Sequence, residues 1–115
     1  MRHGKTFRKF GRMDAHRMAM MRNLAVSLLK AGKIETTVAK AKDLSRFVEK
    51  LITIAKDKNV ASTRILVARL NQEVVSNIYE IADKMASKNG GYTRVVKTWR
   101  RYGDGAETAI VEFAL

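Results

Sequence analysis

Residues 92–113 read YTRVVKTWRRYGDGAETAIVEF, and this stretch decides the fold. Its opening, YTRVVKTW, is rich in β-branched and aromatic side chains, which suit a pleated, half-buried surface. Its close, AETAIVEF, alternates so that Ala109, Val111 and Phe113 share one face. RRYGDG between them holds Gly103 and Gly105, the residue type a tight hairpin loop needs. The stretch therefore predicts a β-hairpin. Two strands alone are marginal in water, so a third is required, and KIETT at residues 33–37 is the extended piece that can supply it.

Upstream the pattern becomes helical. From Asp14 onward, Met18, Met21, Leu24, Ala25, Leu28 and Leu29 fall on one side, with His16, Asn23, Ser27 and Lys30 opposite. Met20 is the exception, facing the polar side. The methionines read as core filler. Asp14 is the candidate N-cap, and Gly32 stands where a helix-terminating glycine belongs. Thr36 or Thr37 can cap a second helix, in which Val38, Ala41, Leu44, Val48, Leu51, Ile52 and Ala55 form a broad apolar stripe. Asp43, Arg46, Glu49 and Lys50 lie on its other face at spacings that permit pairing, and read as solvated. NVASTRILVARL (59–70) is a short, strongly apolar helix. EVVSNIYEIADKMASK (73–88) is a further one, with Val75, Ile78, Ile81, Ala82 and Met85 on one side, stopped by Asn89-Gly90-Gly91. The order helix, strand, helices, hairpin indicates an α+β fold: helices packed against a small three-stranded mixed sheet.

The first twelve residues, MRHGKTFRKFGR, fit neither period and contain no acid. They predict a basic extended N-terminal arm over residues 1–13, ahead of a single globular α+β domain over 14–115. The arm continues a global bias. Lys and Arg number 23 against 11 Asp and Glu, a net charge of +12, which favours a polyanionic partner. The hydrophobic share, 46%, is enough for a core and argues against wholesale disorder. The absence of cysteine excludes disulfides and thiolate metal sites. No run of 18 apolar residues is available to span a bilayer, and MAMMRNLAVSLL, the one candidate for a signal core, is interrupted by Arg22 and Asn23.

Catalytic signatures are missing. There is no Walker A loop, GxGxxG or GxSxG. His3 and His16 are thirteen residues apart with no nearby cluster of ligand types, and the acids are scattered rather than convergent. The chain reads as a non-enzyme with no cofactor, no metal and no small-molecule substrate. The cations, by contrast, cluster. Arg2, Lys5, Arg8, Lys9, Arg12, Arg17 and Arg22 fall in the first 22 residues against a single acid. Arg94, Lys97, Arg100 and Arg101 surround Tyr92, Trp99 and Tyr102. Phosphates attract such clusters, and aromatic rings stack on exposed bases. Lys40 and Lys42 sit near a helix start, where cations oppose the macrodipole unless an anion is bound there. These patterns do not separate RNA from DNA, and a basic architectural DNA-binding module is the alternative.

The block HRMAMMRNLAVSLLKAGKIETTVAKAKDLSRFVEKLITIAK, with MRH at the start and GGYTR at Gly90 to Arg94, resembles the bacterial large-subunit ribosomal protein seventeen family. Within it, His16-Arg17, Ala19-Met20, Arg22-Asn23, Thr36-Thr37 and Lys40-Ala41-Lys42 stand where the family pattern has them. The resemblance implies a structural constituent of the large ribosomal subunit that supports translation, in the cytoplasm of a bacterium, with an organelle ribosome as the alternative location. It would bind large-subunit ribosomal RNA near the nascent-chain exit region, beside neighbouring large-subunit ribosomal proteins and away from any membrane. By the same resemblance Arg2, His3, Lys5, Arg12, His16, Arg17, Arg22 and Asn23 would meet RNA, joined by Thr36, Thr37, Lys40, Lys42 and Arg94. Gly4 and Met13-Asp14-Ala15 depart from the pattern.

Overall fold

A computed structural model describes residues 13–115. Four helices and three strands follow in the order α1 (Asp14–Ala31), β1 (Lys33–Thr37), α2 (Val38–Ala55), α3 (Val60–Arg69), α4 (Val75–Lys84), β2 (Thr93–Arg100) and β3 (Glu107–Phe113). The fold is α+β. No helix among the described residues is long and apolar enough to cross a membrane.

The middle of the molecule is α2. Its apolar stripe (Ala41, Leu44, Val48, Leu51, Ile52 and Ala55) is buried, and the helix touches the other three helices and all three strands. At about 1.5 Å per residue its 18 residues span about 27 Å, enough to back the whole sheet. The core closes around it with Ala25, Leu28 and Leu29 of α1, Leu66 and Leu70 at α3, Ile78 and Ala82 of α4, and Ala109 and Val111 of β3.

The helix ends correct the sequence reading in places. Asp14 does not cap α1. Met13 holds the N-cap position, and Asp14 is the first helical residue, its carboxylate accepting from Arg17 at 3.0 Å. A carboxylate there complements the macrodipole without capping. Gly32 does terminate the helix, at φ 86°, its N–H donating to the Leu28 carbonyl at 2.8 Å. Met18, expected in the core, is 49% exposed, because the first two turns of α1 run past the edge of the core and burial begins at Met21. Helix α3 starts with a reciprocal cap. The Asn59 side chain accepts from Ser62 N–H at 2.8 Å, and the Ser62 hydroxyl accepts from Asn59 N–H at 3.2 Å. Its apolar content is only partly used: Leu66 is buried, while Val60, Ile65 and Val67 are exposed. Helix α4 is shorter than its periodicity suggested. The chain enters through a 3-10 turn at Gln72–Val74 and leaves the helix at Lys84, already turning before Asn89-Gly90-Gly91.

The polar face assigned to solvent on α2 is in part a seam. Asp43 is only 3% exposed and lies 3.7 Å from Arg46. The Glu49 carboxylate accepts from the hydroxyl of Thr93 at 3.2 Å and from its N–H at 3.4 Å, and the Ser45 and Thr93 hydroxyls are 2.6 Å apart. These bonds tie α2 to the start of β2.

The sheet runs β1-β3-β2 and is antiparallel throughout, not mixed. The three helices after β1 return the chain parallel to β1, as a crossover does, but place β2 one strand too far away to pair with it. Strand β3 then fills the gap antiparallel to both, with Ile34 opposite Val111 and Val95 opposite the same residue. On the β2 side the register slips between Lys97–Ala109 and Arg100–Glu107, a bulge that sets Thr98 and Trp99 against Thr108. The Thr108 hydroxyl donates to the Trp99 carbonyl at 2.7 Å, so the Thr98 hydroxyl, 2.6 Å away, is the donor to Thr108.

Candidate nucleic-acid interface

The expectations for Arg2, His3, Lys5, Arg8, Lys9 and Arg12 lie outside the described residues. The remaining candidates fall into distinct places. His16 and Asn23 project from the exposed side of α1 and share a groove of about 320 Å³ with Ser27 of the same helix and Lys40 of α2. Helical spacing puts His16, Asn23 and Ser27 on one stripe, and the packing of α2 beside α1 brings Lys40 to it. One turn back, Thr37 is the N-cap of α2 with no side-chain cap bond, and the first turn of that helix contains no acid. Val38, its first residue, lines a second recess of about 230 Å³ together with Lys97, Trp99 and Arg100 of β2. Glu107 borders this recess as well as the shallow one formed by Thr37, Val38 and Ala39. The start of α2 thus connects the α1 stripe to the hairpin, along an edge that carries His16, Asn23, Thr37, Lys40, Lys97 and Arg100. Thr36 is half-buried on β1 next to this edge, and Lys42 is exposed one turn further along α2.

Other candidates point elsewhere. Arg17 is held by Asp14. Arg22 turns to α3 and donates to the Ala68 carbonyl at 3.3 Å. Arg94 pairs with Glu112 across the sheet at 3.1 Å. Tyr92, grouped with the basic cluster by sequence, is a core residue, with the Lys56 ammonium 4.6 Å above its ring. Trp99 and Tyr102 are the exposed rings of that group.

Ion pairing grades the cations. Arg100 donates to Glu107 and to the Gly105 carbonyl, each at 3.1 Å. Arg101 grips Asp104 through two bonds, Nε to Oδ1 at 3.2 Å and a terminal nitrogen to Oδ2 at 2.6 Å. This guanidinium, helped by the Ala106 N–H, holds the Asp104 carboxyl down at about 2. Lys40, Lys42 and Lys97 make no ion pair among the described residues. Exposed pairs such as Arg94–Glu112 are worth about 0–1 kcal/mol, so a phosphate can compete for those guanidiniums, and the lysines are open to one from the start. Among the described residues no group of His, Asp and Glu could hold a metal ion.

These features define a small, strongly basic α+β protein with a cationic, partly aromatic edge. A family model described as ribosomal protein L17 matches residues 20–114. The large ribosomal subunit protein bL17 of Fusobacterium nucleatum is 52% identical over 114 residues, covering 97% of this chain and 98% of its own. Those of Campylobacter lari and Campylobacter fetus are 48% and 47% identical, with coverage of 97–98% on both sides. The chain belongs to the ribosomal protein L17 family. That family is one of structural ribosomal proteins rather than enzymes.

Proposed function

We propose that the protein is a structural constituent of the large ribosomal subunit, working in the bacterial cytoplasm. There it binds large-subunit ribosomal RNA near the nascent-chain exit region, beside neighbouring ribosomal proteins. The observation that carries this reading is the near-full-length likeness to large-subunit proteins at about half identity. The charge of +12 supports it physically, since each phosphate neutralised releases a condensed counterion. On this reading the edge formed by His16, Asn23, Thr36, Thr37, Lys40, Lys42, Lys97 and Arg100 lies against the RNA backbone. Arg17, Arg22, Arg94 and Arg101 exchange or share their present partners with phosphate. The basic extension, residues 1–13, adds contacts from Arg2, His3, Lys5, Arg8, Lys9 and Arg12. The test is binding of purified protein to protein-free large-subunit ribosomal RNA as a function of salt. With about 6–10 phosphate contacts, affinity falls about 10³–10⁵-fold between 50 and 200 mM. A flat salt response, or failure to sediment with large subunits, would overturn the reading.

A further inference from the structure

Trp99 is 68% exposed and Tyr102 wholly so, although a soluble domain gains nothing from rings left in water. Both belong to one hairpin, and that hairpin is stiffly built. The bulge at Trp99 is fastened by the Thr98–Thr108–Trp99 hydroxyl chain. The loop at Tyr102 is fastened by the Arg101–Asp104 clamp, by Gly105 N–H to the Arg101 carbonyl at 3.0 Å, and by Arg101 N–H to the Ala106 carbonyl at 2.8 Å. The rings are therefore presented on a fixed backbone, and little ordering cost remains to be met on binding. Cations stand beside both rings, although Val38 and Glu107 also line the recess at Trp99. Lys97 and Arg100 share the recess beside Trp99, and Arg101 precedes Tyr102. A second exposed apolar surface, at Val60 and Val67 on α3, borders a recess whose one ring, Tyr79, is half-buried with its hydroxyl 2.7 Å from that of Thr63, so that ring is not presented to solvent as Trp99 and Tyr102 are. An aromatic face flanked by a cation suits a nucleobase with its phosphate, whereas a protein anchor wants an apolar surround.

We propose that Trp99 and Tyr102 form a stacking site for unpaired bases of ribosomal RNA, with Lys97 and Arg100 receiving the attached phosphate. The inference rests on the RNA-binding reading above and adds that the hairpin takes single-stranded rather than duplex RNA. Trp99 is the single tryptophan of the chain, so its fluorescence reports this site alone. The unaltered protein is titrated with protein-free large-subunit ribosomal RNA, with a single-stranded polyuridine oligonucleotide, and with a duplex of equal length. Stacking quenches Trp99 with the first two and spares it with the duplex. Trp99→Ala and Tyr102→Ala each weaken binding of the ribosomal RNA about 5–150-fold, and phenylalanine at either position restores most of the loss. Salt-dependent binding of the ribosomal RNA with unchanged emission and undiminished affinity in both alanine variants overturns the stacking site and leaves the RNA reading standing. Quenching only in the assembled subunit, not with protein-free RNA, means that the rings dock on a protein, and also overturns it. Absence of any ribosomal RNA binding removes the parent reading and this one together. The quenching is read on the unaltered protein, so no variant's failure to fold can obscure the outcome.

Discussion

Replacing Lys40 and Lys97 together by alanine separates the role of the cationic edge from that of the core. Neither lysine has an ion-pair partner among the described residues, one lines the α1–α2 groove, and the other the recess at the start of α2. If each neutralises one phosphate, the slope of log affinity against log salt becomes shallower by about 0.9 per contact, or about 1.8 in all. That corresponds to a loss of about 60-fold at 0.1 M salt, shrinking to about 4-fold at 0.5 M. Stability should move by no more than about 0.5 kcal/mol, because no buried group changes. The assay is filter binding to large-subunit ribosomal RNA over that salt range, with thermal unfolding of the free variant alongside. A loss equal at every salt concentration would mean that the two ammonium groups do not meet phosphate. An unfolding midpoint lowered by several degrees would mean that they hold the domain together.

Leu44→Ala should give the opposite result. The residue is fully buried in the middle of α2. The cavity should cost about 2–5 kcal/mol, about 8–20 °C in midpoint for a chain of this size, with RNA affinity and salt slope unchanged at temperatures where the variant is folded. The Arg101–Asp104 clamp should be acid-sensitive. The carboxyl titrates at about 2 in the folded loop against an ordinary 3.8, so its contribution is fully present above about pH 4 and is lost as pH falls toward 2. Protection of the Ala106 and Gly105 amides, followed by NMR, should fade across that window. In Asp104→Asn it should be weak at every pH, and a pH-dependent fading retained by Asp104→Asn would place the titrating group elsewhere.

The parts of the fold visible in the sequence were those set by local pattern. The hairpin at 92–113 announced itself through alternation and its two loop glycines, the α2 stripe through period, and the end of α1 through Gly32. What escaped were consequences of packing. Asp43 is polar in a helical wheel whatever covers it, and the bonds from Glu49 and Ser45 to Thr93 join residues that no local window contains. Asn59-x-x-Ser62 was a weak signal because serine replaces the usual glutamate or glutamine of a reciprocal cap. Strand direction in the sheet depended on where three helices put β2, which periodicity does not specify. The candidate interface divides in the same way. His16 and Asn23 were legible as one face of α1, but their meeting with Lys40, and the departure of Arg22 toward the Ala68 carbonyl, required the helices to be placed. Tyr92 and Trp99 were grouped together by the cations around them, but Tyr92 enters the core just before β2 while Trp99, at the bulge within β2, stays exposed.

Strand β3 lies in the middle of the sheet and is the last of the three to be synthesised. Residues 33–37 leave the ribosome early and must wait for residues 108–112 before their edge is covered. Until then α2 has no sheet to lie on, and the apolar residues along its stripe face water or a chaperone. The chain therefore cannot fold piecemeal as it is made. Its decisive contacts are the most distant in sequence, so the sheet closes late and in one step, and a ribosome stalled even a few codons before Thr108 would hold a chain with helices but no finished domain.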